Sequence, residues 1–281
     1  MKIIKTIDEV RQIVKEWKAQ GLSVGLVPTM GYLHEGHASL IDASVRDNDR
    51  TVVSDFVNPI QFAPNEDLAS YPRDIEHDGK LCEEHGADII FNPEPCEMYG
   101  DMFCTHVDMD VLTQELCGLS RPTHFRGVCT VVTKLFNIVT PDNAYFGQKD
   151  AQQLAIIRRM TADLNMDIKI HGCPIVREAD GLAKSSRNTY LNDKERKAAL
   201  ILSQSIAIGK KMADNGEKNA ESIVSAMKAK IETEPLAKID YVKIVDALTM
   251  QQVKTLEKPV LCAIAVYIGK TRLIDNFITE G

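Results

Sequence analysis

Two histidines lie close together in a short segment of this 281-residue chain that also contains two glycines. The segment runs from Pro28 to His37 and reads PTMGYLHEGH. Glycines let the backbone turn tightly and approach a ligand closely. A helix beginning here would present free N–H groups to an anion. His34 and His37 could then hydrogen-bond a polyphosphate; the alternative is a strand-to-helix loop with two exposed histidines.

Two further segments carry cationic and hydroxyl side chains suited to phosphate. The segment Gly147–Asp150 reads GQKD, where Lys149 could face phosphate as a point charge and Asp150 could hold Mg²⁺ or cap a helix. The segment Lys184–Asn188 reads KSSRN. It contains a lysine, two hydroxyls and an arginine, which could bind a triphosphate through a flexible loop. The alternative is a solvated turn.

A pair of neutral amides marks a possible site for a small polar substrate. Asn58 and Gln61 follow a predicted strand, and amides suit hydroxyl and carboxylate oxygens. Phe56, Val57 and Phe62 could form an apolar wall beside them.

Common nucleotide and metal motifs do not occur in the sequence. Neither G-x-x-x-x-G-K-[ST] nor G-x-G-x-x-G is found, which disfavours a kinase-like or dinucleotide-binding cradle. The segment His34–His37 is one residue short of H-E-x-x-H, so the two histidines do not have metalloprotease spacing.

The elements that must position these residues alternate between strands and helices. Strands are predicted at Leu22–Val27, Thr51–Val57, Asp88–Phe91, Ala144–Phe146 and Ile168–His171. Helices are predicted at His37–Arg46, Asp74–His85, Val128–Val139 and Ala151–Leu164. This order predicts an α/β domain with a parallel sheet covered by helices on both faces. Ligands bind such sheets at the carboxyl ends of the strands, where the polar segments lie.

The pattern changes after about Pro174. Helices are predicted at Asp193–Ala213, behind a capping signal at Asn192, and at Ala220–Thr233. Strands are predicted at Ile239–Val245, Val260–Tyr267 and Thr271–Phe277. Helices followed by a strand meander indicate a smaller α+β domain, with a boundary near residues 172–178.

Composition limits the function further. The chain has 33 Lys+Arg against 40 Asp+Glu, a formal net charge of −7, which argues against broad nucleic-acid binding. No apolar run approaches the roughly 20 residues of a membrane span, and residues 1–17 do not resemble a signal peptide. Seven cysteines, an odd number without a C-x-x-C pair, predict free thiols in a reducing cytoplasm.

Five segments together resemble one known family. They are PTMGYLHEGH, FVNPIQF, Arg121–Val139, FGQKDAQQL (Phe146–Leu154) and READGLAKSSRN (Arg177–Asn188). In order and spacing they resemble the pantothenate synthetase, or pantoate–β-alanine ligase, family of the HIGH/KMSKS nucleotidyltransferase superfamily. The resemblance extends over essentially the whole chain.

The resemblance implies a fold and a reaction. It implies a Rossmann-like domain at residues 1–175 that binds ATP and pantoate, and a C-terminal lid domain at residues 176–281 that carries the KMSKS-like loop. The implied reaction is ATP-dependent condensation of (R)-pantoate with β-alanine through a pantoyl adenylate, releasing AMP and pyrophosphate. It further implies Mg²⁺ and a cytoplasmic homodimer, with no nucleic-acid or membrane partner.

The resemblance also implies site residues. His37 matches the position called proton donor, and His34 and Lys149 would act with it on phosphate charge. Gln61 matches a residue that contacts pantoate and β-alanine, Gln153 matches another pantoate contact, and Asn58 joins them as a candidate. The implied ATP contacts are Met30, Gly31, Tyr32, Leu33, His34, Glu35, Gly36, His37, Gly147, Gln148, Lys149, Asp150, Val176 (through its backbone), Lys184, Ser185, Ser186 and Arg187.

Three positions depart from the family pattern. Lys184 stands where Met is common, Tyr32 replaces a small residue, and Asp55 stands where an apolar residue usually fills a strand. A buried carboxylate is costly unless paired, so Asp55 needs a donor, a water or a raised pKa. These departures bear on affinity and stability rather than on reaction type.

Three alternative functions remain for comparison. A nucleotidyltransferase that leaves the nucleotide on its product would need cationic side chains near Asn58 and Gln61, where the sequence has amides. An aminoacyl-tRNA synthetase would need tRNA-binding domains and a basic face. A catalytically silent nucleotide sensor would be expected to lack the histidines or the KSSRN residues, and all of them occur here.

Overall fold

A parallel six-stranded sheet organises the N-terminal part of the chain, in a computed structural model that describes residues 1–64 and 66–280. Its strands are β1 (Lys2–Ile4), β2 (Val24–Thr29), β3 (Arg50–Asp55), β4 (Ile89–Phe91), β5 (Asn143–Gly147) and β6 (Lys169–Cys173). Their order is β1-β4-β3-β2-β5-β6, and every neighbouring pair is parallel. The predicted α/β class is confirmed.

Helices alternate with these strands along the N-terminal part of the chain. They are α1 (Ile7–Ala19), α2 (Glu35–Asp47), α3 (Ile75–Glu84), α4 (Pro95–Met98), α5 (Cys117–Ser120), α6 (His124–Val139) and α7 (Ala151–Asp163). Connections from β2 and β3 run one way across the sheet, and those from β4 and β5 run the other way. Because such crossovers are right-handed, α2 and α3 cover one face, while α1, α6 and α7 cover the other. The chain therefore reverses direction between β2 and β5, whose carboxyl ends form a topological switch point.

Several boundaries differ from the sequence predictions, and two of these differences have identifiable reasons. The strand expected from Leu22 begins at Val24, because the Ser23 and Val24 N–H groups donate to the carboxylates of Asp49 and Asp142 instead of continuing a ladder. The helix expected from Val128 begins at His124, since polar residues and a glycine open its first turn. The sequence predictions did not include α1 or β1.

The C-terminal part folds around a three-stranded antiparallel sheet. Its elements are α8 (Asp193–Ala198), α9 (Leu200–Asp214), α10 (Ala220–Ile231), β7 (Ala237–Asp246), β8 (Val260–Ile268) and β9 (Thr271–Thr279), with the strands in the order β7-β8-β9. Its apolar core includes Leu202, Met227 and Ile264. The single helix expected over Asp193–Ala213 is divided at Ala199, whose carbonyl accepts a tight-turn bond from the Leu202 N–H.

The chain separates into two compact units. The first unit comprises Met1–Met109, Arg121–Gln148 and Ile156–Pro174. The second comprises Asp110–Ser120, Lys149–Ala155 and the chain from Ile175 onward. In neither unit do the described residues form a helix long and apolar enough to cross a membrane.

Candidate active site

The segment Met30–His37, called the glycine–histidine loop below, joins β2 to α2 at the switch point. Gly31 has a φ of 78° and Tyr32 a φ of 52°, both in the left-handed region. At Gly31 only glycine fits without strain, because an added Cβ would also collide with Oδ1 of Asp55. The Gly31 N–H donates to the hydroxyl of Thr29 (3.2 Å), which itself donates to the Ser54 carbonyl (2.7 Å) and so ties the loop to β3.

The two histidines cap the N-terminus of α2 reciprocally. The Gly36 N–H donates to Nδ1 of His34 (3.1 Å), and the His34 N–H donates to Nδ1 of His37 (3.3 Å). The two rings lie 4.1 Å apart between centroids. Since each Nδ1 accepts a hydrogen bond, a neutral ring carries its proton on Nε2, the atom suited to donate to an oxyanion. The prediction that His37 lies in the first helical turn is confirmed.

Two buried carboxyl groups lie beneath this loop. Asp78, on α3, accepts from the N–H groups of Tyr32 (2.6 Å) and Leu33 (2.7 Å). Asp55, the last residue of β3, is 6% exposed. Burial, the charge of Asp78 and a hydrogen bond with Asp78 raise the pKa of Asp55 to about 7. The sequence left open how Asp55 is accommodated; Asp78, which the sequence did not single out, is the partner.

The two amides predicted to bind substrate contact each other and the loop. Nδ2 of Asn58 donates to Oε1 of Gln61 (2.9 Å) and to the Gly127 carbonyl (3.1 Å). Nε2 of Gln61 contacts Sδ of Met30 (2.9 Å). The hydroxyl of Tyr99, which the sequence did not indicate, donates to Oδ1 of Asn58 (2.7 Å). Both amides are buried, so these hydrogen bonds fix the orientation of the two side chains.

The segment after β5 forms a 3₁₀ turn, Gln148–Asp150, directly before α7. Gly147 and Gln148 belong to the first unit, and Lys149, Asp150 and Gln153 to the second. Nζ of Lys149 lies 3.0 Å from Oδ2 of Asp150. These residues are all partly exposed, as a role in binding a ligand requires.

Two adjacent glutamines of α7 have different environments. Gln152 is buried, donates to the carbonyls of Leu112 and Glu115 (2.8 Å each) and accepts from the Cys117 N–H (2.9 Å). Its amide is therefore used within the second unit. Gln153 is only partly buried, which agrees with its choice as the substrate candidate.

The KSSRN segment is held by a short two-strand bridge. The Lys184 N–H donates to the Val176 carbonyl (2.9 Å), so these two candidate residues are neighbours. Oγ of Ser185 accepts from the Arg187 N–H (3.3 Å) and caps the 3₁₀ turn Ser186–Tyr190. Asn188 donates to the Ala183 carbonyl (3.1 Å), which closes the loop at its far end.

Strand β9 connects the candidate segments of the second unit. Arg177, at the base of the bridge, forms two hydrogen bonds with the buried carboxylate of Asp275 (2.7 and 2.8 Å). This hydrogen bonding raises the pKa of Arg177 above its ordinary value. The next residue, Asn276, donates to the Lys149 carbonyl (2.9 Å). One strand thus anchors both the Lys149 turn and the bridge that carries Lys184.

The candidate residues can hold a magnesium ion only when the ion is also bound to the phosphate groups of a nucleotide. Among the described residues, no group of three or more His, Cys, Asp or Glu side chains is arranged to hold a metal ion. Mg²⁺ usually keeps several waters and binds through substrate phosphates plus one or two carboxylates. Asp150, with a side chain 45% exposed, offers one such carboxylate.

These features define an α/β enzyme of the Rossmann-like, nucleotide-binding class. They are a parallel sheet in which the direction of chain progression changes between β2 and β5, a helix N-terminus capped by histidines, and a pair of buried amides. The family profile described as Pantoate-beta-alanine ligase matches residues 2–278. The chain belongs to the pantoate–β-alanine ligase family.

Similar proteins extend over the same length. The pantothenate synthetase of Ruminiclostridium cellulolyticum is 67% identical over 277 residues, which are 99% of this chain and 98% of that protein. That of Clostridium acetobutylicum is 60% identical over 99% of both chains. The crystal structure of the Thermus thermophilus pantothenate synthetase has a TM-score of 0.94 at 40% identity, covering 99% of both chains. The Francisella tularensis pantoate-beta-alanine ligase, complexed with Beta-gamma ATP and Beta-alanine, has a TM-score of 0.81 at 34% identity, covering 99% of this chain and 97% of that one.

Proposed function

We propose that this protein joins (R)-pantoate to β-alanine to form pantothenate, converting ATP to AMP and pyrophosphate through a pantoyl adenylate. The observation that carries the proposal is the full-length similarity to pantothenate synthetases, 67% identical over 99% of the chain in one relative. The Francisella ligase, whose structure contains Beta-gamma ATP and Beta-alanine, supports ATP and β-alanine as substrates.

The reaction needs activation because a carboxylate is a poor acyl donor. In the first step a carboxylate oxygen of pantoate attacks the α-phosphorus of ATP, and pyrophosphate leaves. In the second step the uncharged amine of β-alanine attacks the acyl carbon, and AMP leaves with the bridging oxygen. The protein's contribution to such chemistry is mainly to position the reactants and to stabilise phosphate charge.

The glycine–histidine loop supports a role in the first step. The hydrogen bonds to the Nδ1 atoms direct the protons of neutral His34 and His37 to Nε2, so both rings can donate to phosphate oxygens. The N-terminal dipole of α2 adds partial positive charge at the same end. His37 acts in this proposal as the proton-donating residue for the departing pyrophosphate.

The second unit supplies cationic and hydroxyl groups. Lys149 contributes a point charge, and Lys184, Ser185, Ser186 and Arg187 bind the triphosphate, with Val176 contributing through its backbone. Mg²⁺ bound to the nucleotide would be held by phosphate oxygens with Asp150, and it would supply positive charge that offsets the charge on those oxygens.

The amides bind the acyl substrate in this proposal. Asn58, Gln61 and Gln153 are uncharged, so they suit the hydroxyl and carboxylate oxygens of pantoate better than they suit phosphate. Gln61 also contacts β-alanine. We further propose that residues 1–175 bind ATP and pantoate, that residues 176–281 serve as a lid that keeps water from the adenylate, and that the enzyme is a cytoplasmic homodimer.

A product assay tests the proposal. The purified protein is incubated with pantoate, β-alanine, ATP and Mg²⁺, and nucleotides and pantothenate are separated and quantified. We expect AMP and pantothenate in equal amounts, and exchange of pyrophosphate into ATP that requires pantoate but not β-alanine. ADP as the nucleotide product, or exchange without pantoate, would contradict the proposal. His37→Ala, in which we expect pyrophosphate exchange to fall by about 10²–10³-fold, serves as the matched control variant.

A further inference from the structure

We propose that Asp55 is a positioning residue, whose protonated carboxyl group donates a hydrogen bond to Asp78 and thereby holds the glycine–histidine loop in its ATP-binding form. The inference rests on the proposed ATP-binding role of that loop. It assigns a function to a carboxyl group that takes no part in the mechanism above.

Asp78 is the direct support of the loop. Its Oδ2 and Oδ1 accept from two consecutive backbone N–H groups, of Tyr32 (2.6 Å) and Leu33 (2.7 Å). These amides follow Gly31 and include a residue with positive φ, a conformation that side-chain-bearing residues adopt at a cost. A charged acceptor forms the stronger kind of hydrogen bond, so the Asp78 carboxylate offsets that cost.

Asp55 lies beside the same turn, next to Asp78. It stands at the end of β3, in register with Thr29 at the end of β2. Its Oδ1 occupies the space that a side chain at Gly31 would need. Oδ2 of Asp78 lies beside the same position, so the two carboxyl groups are neighbours, and hydrogen bonding with Asp78 contributes to the raised pKa of Asp55. Two buried carboxyl groups placed side by side favour a state in which they share one proton, because two buried anions would repel each other.

The shared proton belongs to Asp55. Burial raises the pKa of both carboxyl groups, but the Leu33 and Tyr32 amides favour the ionised form of Asp78. Asp55 receives no such backbone donors from the described part of the chain, and its pKa rises to about 7. Asp55 therefore keeps its proton below about pH 7 and loses it above that pH.

Other ionisable groups near this pair lie mainly on α3. A positive charge on His77 would favour the ionised form of Asp78, and Nε2 of His77 lies 3.1 Å from the Leu33 carbonyl. Cys82 is buried, and burial with the two carboxyl groups raises the pKa of its thiol to about 12, so it stays uncharged. From the segment after β4, the neutral amide of Asn92 donates to the Asp55 carbonyl (2.8 Å). Because His77 is retained in variants of Asp55, comparing them with the wild type removes its contribution.

The sign of the pH dependence follows from linkage. The carboxyl group has a higher pKa when the loop is held than when the pair is hydrated, where it approaches the ordinary value near 4. Raising the pH from about 4 to about 7 therefore disfavours the held loop, by up to tenfold per pH unit. Above about 7 the effect is constant, because Asp55 is then ionised in both states.

Hydrogen exchange combined with ATP kinetics tests the inference. The wild type, Asp55→Asn and Asp55→Leu are compared with Asp101→Asn, a control at an exposed carboxylate of the first unit. Exchange protection of the peptide spanning residues 30–37, corrected for intrinsic rates, is measured by mass spectrometry from pH 5 to 8.5. The KM values for ATP and pantoate are measured over the same range.

In Asp55→Asn the amide can still donate a hydrogen bond to Asp78, but it does not ionise between pH 5 and 8.5. We expect protection of residues 30–37 in the wild type and in Asp101→Asn, each divided by that in Asp55→Asn at the same pH, to fall between pH 5 and 7 and then level off. The ratio of the wild-type ATP KM to that of Asp55→Asn should rise about threefold or more over that interval, with no matching change for pantoate. Asp55→Leu should lose protection at every pH, because it has no donor.

Two results would overturn the inference: the same pH dependence of protection in the wild type and in Asp55→Asn, or, at pH 5, wild-type protection in a folded Asp55→Leu. The Asn comparison decides alone if the Leu variant does not fold. Protection that changes as expected while the ATP KM does not follow it would support the positioning role but contradict ATP binding by the loop, so the two failures are distinguishable.

Discussion

Replacing Gly127 with alanine should disturb the amide pair by a mechanism that can be worked out from the structure. Gly127 lies near the start of α6, where the helix passes close to the 3₁₀ turn that ends at Gln61. An added Cβ would lie 2.5 Å from Cα of Gln61, 2.6 Å from the Ile60 carbonyl oxygen and 2.7 Å from the Gln61 nitrogen. All three are backbone atoms, which cannot rotate away as a side chain does.

Two opposing contributions set the magnitude. Glycine to alanine in a helix interior stabilises by about 1 kcal/mol, whereas overpacking costs about 1–3 kcal/mol. Because only backbone atoms must give way, we take the upper value, so Gly127→Ala should destabilise by about 2 kcal/mol. Displacing Gln61 from Asn58 and Met30 should also remove about one hydrogen bond's contribution to pantoate binding, about 1 kcal/mol, which is about fivefold in KM.

A second helical glycine provides the matched control. A Cβ at Gly79, in α3, would meet only Cδ1 of Ile3 at 3.7 Å and Cε of Met1 at 3.9 Å. Gly79→Ala should therefore be stabilising, by up to about 1 kcal/mol. Urea unfolding and steady-state kinetics with varied pantoate compare the two variants. A Gly127→Ala enzyme as stable as Gly79→Ala, with an unchanged pantoate KM, would refute the packing argument.

Three further predictions concern the same sites. His37→Ala should lower pantoate-dependent pyrophosphate exchange by about 10²–10³-fold, the effect of losing one preorganised donor, and near wild-type exchange would contradict its role. Gln153→Ala should weaken pantoate binding more than ATP binding, and Lys149→Ala should do the reverse or slow adenylation; calorimetry showing equal effects on both ligands would contradict this division. The protonated Asp55 stabilises the fold below about pH 4, and this stability is lost as the pH rises to about 7, because the pKa of Asp55 is raised in the folded protein. In urea unfolding, the stability of Asp55→Asn relative to wild type should therefore increase over that interval and then level off. A constant difference in stability would contradict the raised pKa.

Local signals explain what the sequence predicted well. The helix expected over Asp74–His85 is α3, with Asp74 capping it through the His77 N–H (3.0 Å) and His85 ending it. The Asn192 signal is a complete capping box with Glu195. In both cases the residues that fix the boundary are neighbours in sequence, so a short window contains the necessary information.

Other features depend on contacts between distant residues. Asp78 supports amides 45 and 46 positions away in the chain, and its sequence context is that of an ordinary acidic residue near a helix start. Tyr99 reaches Asn58 across 41 residues. Likewise, the side chain of Gln152 hydrogen-bonds with backbone groups of residues 112–117, whereas that of Gln153 does not. The hydrophobic periodicity of α7 does not distinguish the two glutamines. Such roles follow from the tertiary fold.

The most direct test of the reaction follows oxygen from pantoate to the nucleotide. Pantoate labelled with heavy oxygen in its carboxylate is mixed with β-alanine, ATP, Mg²⁺ and the enzyme for a single turnover. Mass spectrometry then measures the label in AMP and in inorganic phosphate. Attack at the α-phosphorus predicts one labelled oxygen in AMP and none in phosphate. Unlabelled nucleotide with labelled inorganic phosphate would show attack at the γ-phosphorus and would contradict the adenylate mechanism, even if pantothenate were formed.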